Sequence, residues 1–252
     1  MDKSIKELNG HSGCKVYLKQ DDEGMLFVEK TGDIKRNLER LNTLTSLNYP
    51  VPKIYYSDEN KIRMQYIHGL DVKNYLIHNS IKKLSEFIVS TLDSFSTTTS
   101  HEKDYTEVYN KKIQSIENHN LPFTKEELIS KLPSKLPQSV YHGDLTLENI
   151  MATKDGFYMI DAITTEYDSY IFDIAKMRQD LQCKWFLRED TINLDVKLKN
   201  LQKKILEHYP KADNDTLLIL MLLRVLEHCE RNDNNYIFVK NNINSLWKNM
   251  KR

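Results

Sequence analysis

Residues 141–151 read Y-H-G-D-L-T-L-E-N-I-M. Within them His142, Asp144 and Asn149 form an H-x-D-L-x-x-x-N arrangement, and Asp161 follows in F-Y-M-I-D. Strands are expected at residues 139–141 and 149–151, leaving a short loop between strand ends. Such a loop aims Asp144 at an acceptor while Asn149 turns back toward a metal. Lys154-Asp155-Gly156 then makes a hairpin that returns Asp161 to the same mouth. One carboxylate to receive a hydroxyl proton, with an Asn and an Asp to hold magnesium, is the set of groups that phosphoryl transfer from ATP requires. The bland alternative is an Asp capping a turn beside a His bonded to backbone. The spaced Asn and the downstream I-D hairpin both weigh against it, since each falls where a kinase needs it.

The segments H-G-D-L-T-L-E-N-I-M, Y-M-I-D-A and F-D-I-A-K resemble the aminoglycoside phosphotransferase and choline kinase superfamily. The resemblance runs from the loop at Gly10 to about Gln182 and is strongest from Val140 to Asp180. It implies an α+β, two-lobed protein-kinase-like fold that phosphorylates small molecules. A small antiparallel sheet with one helix would occupy residues 1–66 and bind nucleotide. A larger, mainly helical catalytic and acceptor-binding lobe would occupy residues 67–252, with a hinge at about 65–69.

The bulk properties fit such an enzyme and exclude other classes. The 252 residues can bury a substantial core. Lysine plus arginine (36) balances aspartate plus glutamate (36), and the basic residues are scattered. No field therefore favours nucleic acid or acidic lipid. Cys14, Cys183 and Cys229 lack paired or metal-like spacing, which suggests reduced thiols in the cytosol. Residues 1–10 are polar, without the apolar core of a signal peptide. The apolar run 217–223 is far short of the roughly 20 residues that cross a bilayer, so a buried helix is expected there. These features point to a cytoplasmic protein with neither a nucleic-acid nor a membrane partner.

Upstream, residues 4–30 read as three strands. Asn9-Gly10-His11-Ser12-Gly13 joins the first two, and Asp21-Asp22-Glu23-Gly24 joins the second and third. A glycine-bearing turn lets backbone N–H groups approach phosphate oxygens. Gly10, Ser12 and Gly13 are thus candidate phosphate contacts, although an ordinary hairpin has the same signature. Lys30 ends the third strand, where a kinase carries the lysine that grips the α and β phosphates. Residues 33–47 form an amphipathic helix with Ile34, Leu38, Leu41, Leu44 and Leu47 on its stripe and Asp33 as its expected cap. Glu39 on that helix is the expected partner of Lys30, with a local surface pair to Arg36 or Arg40 as the competing role. Glu29 belongs on the opposite sheet face. Residues 54–56 and 61–66 complete a five-stranded sheet. The following Q-Y-I-H-G resembles the superfamily's hinge, which implies adenine against the backbone of Gln65 and Ile67.

From Leu70 onward the pattern is helical, with a loop expected at residues 94–103. By the same resemblance, Asp173 accepts hydrogen bonds from the catalytic loop, and His142 has a similar supporting task. Asp144 already fills the role of base. The interval from Asp161 to Asp173 is short and lacks A-P-E, so a peptide substrate has no long activation segment to rest on. A small-molecule hydroxyl is therefore the expected acceptor. Helices at about 171–185, 194–208, 215–230 and 236–250 would shape its pocket, with Arg178, Asp180, Trp185, Glu227 and His228 among them. Aminoglycosides are polycations that favour an acidic cleft, and the balanced charge gives no sign of one. F-D-I-A-K-M-R-Q-D-L is similar to superfamily members associated with bacterial capsule or cell-envelope sugar pathways. A sugar hydroxyl leads on that ground, followed by choline or another amino alcohol, then an antibiotic. A non-catalytic nucleotide-binding module is the alternative of another class.

Overall fold

The structure is a computed structural model that describes residues 3–8, 14–113 and 116–250. The chain forms two compact units, Met1–Tyr75 with His142–Thr165, and Leu76–Tyr141 with Glu166–Arg252. The boundary expected at 66/67 is thus not where the compact units divide. The first unit runs on to Tyr75 and takes back the stretch that carries Asp144, Asn149 and Asp161.

The first unit starts with strands β1 (Lys3–Leu8), β2 (Lys15–Gln20) and β3 (Leu26–Thr31). The turn before β3 is closed by Asp21, whose Oδ1 accepts from the backbone N–H groups of Glu23 and Met25. Helix α1 (Lys35–Ser46) follows, then β4 (Ile54–Ser57) and β5 (Lys61–Gln65). The five strands pair antiparallel in the order β1-β2-β3-β5-β4. On α1, Ile34, Leu41 and Leu44 are buried, and each such side chain contributes about 1.5–3 kcal/mol by leaving water. The expected cap Asp33 is replaced by Ile34, which makes no side-chain cap bond. The helix stops before Pro50. Asn48 turns left-handed (φ 61°), and Tyr49 N–H donates to the Leu44 carbonyl.

Strand β6 (Leu70–Asp71) leads into α2 (Val72–His78). In the second unit come α3 (Lys82–Thr97), β7 (His101–Asp104), α4 (Thr106–Lys112), α5 (Lys125–Ile129) and β8 (Lys135–Gln138). Residues 94–103 are therefore not one loop. Most of the stretch finishes α3 or pairs in β7 against β8. The strand expected at 139–141 is displaced to β8.

Back in the first unit, β9 (Ile150–Thr153) and β10 (Gly156–Met159) form the expected hairpin, and β6 adds to its edge. The Met159 N–H donates to the Pro50 carbonyl at 2.8 Å. These two links explain why this stretch belongs with the strands that precede it by about a hundred residues.

The second unit closes with α6 (Tyr170–Leu181), α7 (Asp195–His208), α8 (Asp215–Leu226) and α9 (Asn234–Met250). Residues Ile171 through Leu181 are all buried, so α6 is its central helix. The apolar run 217–223 lies in buried α8, capped by Asn214 accepting from the N–H groups of Thr216 and Leu217. No helix among the described residues is long and apolar enough to cross a membrane.

Candidate active site

Strand periodicity sends the neighbours Glu29 and Lys30 to opposite faces of the sheet. Glu29 meets Lys19 and, at 2.9 Å, Arg63. Burial pushes its carboxyl up, but the two cations outweigh that and hold it below the ordinary range. Lys30 sits between Val16 and Ile62 on the neighbouring strands and is only 4% exposed. Its Nζ donates to Asp161 Oδ1 at 2.6 Å, across 131 residues of sequence.

Helix α1 adds a second donor to the same oxygen. Asn37, 4% exposed, donates from Nδ2 to Asp161 Oδ1 at 3.2 Å and to the Ala162 carbonyl at 2.9 Å. Glu39 does not take the role expected of it. It lies on the exposed side of α1, and the ion pair that Lys30 makes is with Asp161. The reason is helical geometry, since 39 lies two positions from the buried 37 and so turns to a different face. Asn37 carries the signal that was passed over. It is polar, three residues after Ile34 and four before Leu41, and so sits on the buried stripe.

The loop from His142 to Asn149 is pinned by its backbone. Gly143 has φ +91°, and a Cβ there would lie 2.0 Å from the Ile163 carbonyl oxygen. Only glycine tolerates both conditions. The Ile163 N–H donates to the His142 carbonyl at 3.0 Å, and the Thr164 N–H to the Arg36 carbonyl at 2.9 Å. His142 is wholly buried, and its Nδ1 accepts from the Asp144 N–H at 3.3 Å. Burial pushes the imidazole down to about 4, against the opposing pull of Asp144 and Asp161. It is therefore neutral at physiological pH and acts as an acceptor for the loop backbone.

Asn149 ties Asp144 to the backbone that leads into Asp161. Its Nδ2 donates to the Asp144 carbonyl at 2.8 Å and to Asp144 Oδ2 at 3.1 Å. Its own carbonyl accepts from the Ile160 N–H at 2.9 Å, next to Asp161. Lys30, Asn37, His142, Asp144, Asn149 and Asp161 thus form one linked set within the first unit. Asp161 takes a left-handed backbone (φ 57°), and its carboxylate is 46% exposed.

This donor set fits a hard divalent cation. Its candidate ligand atoms are oxygens of Asp and Asn, and Asp161 Oδ2 makes no hydrogen bond among the described residues. The described residues hold no cluster of three or more His, Cys, Asp or Glu that would bind a metal alone. Magnesium asks for less, since it keeps several waters and shares the rest of its shell with substrate phosphates.

Gly10, Ser12 and Gly13 lie outside the described residues. Gln65 closes β5, and its N–H is already given to the Lys53 carbonyl at 2.8 Å, while Ile67 is buried just beyond. Asp173 is buried in the first turn of α6, in the second unit. Arg178 and Asp180 are buried parts of the same helix, whereas Glu227 and His228 are exposed. Trp185 stacks with Arg188 at 4.0 Å.

The five-stranded sheet, single helix and helical second unit define a protein-kinase-like fold of the kind found in small-molecule kinases. The likeness extends over the whole chain in three solved structures. A candidate fructosamine-3-kinase from Thermobifida fusca matches with TM-score 0.60 at 13% identity, covering 100% of this chain and 94% of that one. The choline kinase LicA from Streptococcus pneumoniae matches with TM-score 0.57 at 15% identity, covering 100% and 93%. A glucosamine kinase in complex with glucosamine, ADP and inorganic phosphate matches with TM-score 0.57 at 9% identity, covering 100% and 94%. No family model matches the sequence, and no curated protein matches it.

Proposed function

We propose that the protein is an ATP- and magnesium-dependent phosphotransferase that moves the γ-phosphoryl group to a hydroxyl of a small molecule. One observation carries the reading: the Lys30 ammonium meets Asp161 at 2.6 Å in the same unit where Asn149 bonds Asp144. A phosphate-binding cation, two candidate metal ligands and a candidate base converge from distant parts of the chain. That is the minimum equipment of a kinase site.

In this reading Asp144 orients the acceptor hydroxyl and receives its proton. Asn149 and Asp161 hold magnesium, which when bound neutralises charge developing on the phosphates. Lys30 supports the phosphates with the donors it does not give to Asp161. Gly10, Ser12 and Gly13 are the proposed phosphate turn. At the adenine, the Gln65 N–H is already spent, so the Gln65 carbonyl and the Ile67 N–H are the proposed contacts. His142 supports the site without entering the chemistry. For the acceptor we favour a sugar or sugar-derived hydroxyl, a class to which the substrate of the similar glucosamine kinase belongs.

The test is an ATP-consumption screen over sugars, amino alcohols and aminoglycosides, with D144N as the control. Wild-type turnover should fall by about 10³-fold or more in D144N, while Mg·ATP binding, read by calorimetry, is retained. Unchanged turnover in D144N removes Asp144 as base. Binding of Mg·ATP without phosphate transfer to any acceptor favours the non-catalytic module.

A further inference from the structure

We infer that Asn37 is a positioning residue that presets Asp161 for the metal, a task that a carboxylate on α1 could not perform. The inference rests on the kinase reading of the same site. Asp161 is a non-glycine residue in the left-handed region (φ 57°), a conformation that L side chains seldom take without support. Two groups need fixing to hold it, the Asp161 side chain and the backbone one residue further on. Asn37 Nδ2 reaches both, at 3.2 Å from Asp161 Oδ1 and 2.9 Å from the Ala162 carbonyl oxygen. An amide nitrogen carries two protons, and here each has an acceptor. An ionised Asp or Glu at position 37 has no proton to give and would repel Asp161.

The arrangement divides the labour on one carboxylate. Oδ1 is held by Lys30 and Asn37, and Oδ2 is left without a hydrogen bond among the described residues. When Lys30 turns to phosphate, Asn37 still holds the rotamer. Because Asn37 is 4% exposed and α1 is packed through Leu41 and Leu44, its amide is itself fixed. Groups of this kind, one step behind a metal ligand, typically set metal affinity by about 10–100-fold.

The experiment is calorimetric titration of ADP with and without magnesium into wild type and N37L, which keeps the branched shape and removes both donors. The expected result is about a tenfold loss of Mg·ADP affinity with metal-free ADP affinity unchanged. N37A, smaller and without a donor, takes the same titrations if N37L does not fold. Equal losses with and without magnesium, or no loss at all, overturn the assignment of Asn37. Failure of wild type to bind Mg·ADP is a different outcome, and it removes the kinase reading itself.

Discussion

Lys30 and Arg178 are both buried cations facing carboxylates, one in each unit, and they are held in opposite ways. Arg178 is 2% exposed and engages Asp215 at 2.6 Å, Gln182 at 2.7 Å, Asp213 at 3.1 Å and the Ala212 carbonyl at 3.3 Å. Its fork locks α6 to the start of α8. Lys30 is 4% exposed, but among the described residues its ammonium has only Asp161 Oδ1. A lysine ammonium has three protons, so donors remain for a ligand. On the proposed function, the difference separates a charge that serves folding from one kept available for binding. Burial alone does not tell them apart; the number of acceptors already engaged does.

The largest expected effect tests that separation directly. K30M should lower kcat/KM by about 10²–10³-fold, as loss of a charge-assisted contact to developing phosphate charge implies. Its melting temperature should stay close to wild type, because Asp161 is left 46% exposed and can be solvated. R178M should do the reverse. Its unfolding free energy should fall by about 2–3 kcal/mol, from the charged hydrogen bonds it loses, with Mg·ADP affinity unchanged. Chemical denaturation and calorimetry on the two variants read both halves. If K30M unfolds as readily as R178M, the ammonium is a structural group and the comparison fails.

A third cation–carboxylate cluster lies between these extremes. In the second unit Asp168 accepts from Lys103 Nζ at 2.8 and 2.9 Å, from Tyr105 Oη at 3.0 Å and from Gln138 Nε2. Burial pushes the Asp168 carboxyl up, but Lys103, Gln138 and Tyr105 outweigh it and hold it below the usual range. A folded-state value below the unfolded one makes this a contribution present above the unfolded value, near 3.9. It is lost as pH falls through the depressed folded value. D168N should therefore cost about 1 kcal/mol at pH 7, the upper range for a partly exposed pair. The gap to wild type should narrow in urea denaturation as the pH is lowered below about 4. A gap independent of pH would mean that Asp168 acts through shape and not through its charge.

These clusters also show what the sequence disclosed. Asp144, Asn149 and Asp161 were legible because their spacing is local, a loop and one hairpin, and because glycine at 143 leaves a mark in the sequence that backbone geometry requires. The five strands before residue 66 were legible from alternation and turn residues. By contrast, β7 and β8 read H-E-K-D and K-L-P-Q and show no apolar alternation. What pairs them is tertiary, and Pro137 in β8 is a residue that strand interiors disfavour. Arg178 looked like a pocket residue because its acceptors Asp213 and Asp215 stand more than thirty positions away. The membership of the compact units escaped for the same reason. Several of the bonds that draw residues 142–165 to the earlier part of the first unit, such as Met159 to Pro50 and Thr164 to Arg36, are backbone contacts that carry no side-chain signature.

The smallest expected effect is the most pointed for α1. Glu39 is exposed, and its side chain faces away from the buried stripe that carries Asn37. A lysine at the end of the third strand of a kinase ordinarily has a glutamate on the following helix, which made Glu39 the expected partner with a local surface pair as its competing role. Helical register opposes it. E39Q keeps size and helix propensity and removes only the charge. It should leave stability within about 0.5 kcal/mol of wild type, as surface substitutions do, and should not shift Mg·ADP affinity. A tenfold loss in E39Q would mean that α1 turns during binding to bring Glu39 to Lys30. In that case the contact between Lys30 and Asp161 belongs to the nucleotide-free state alone, and Asn37 would lose its hold on Asp161 in the same movement.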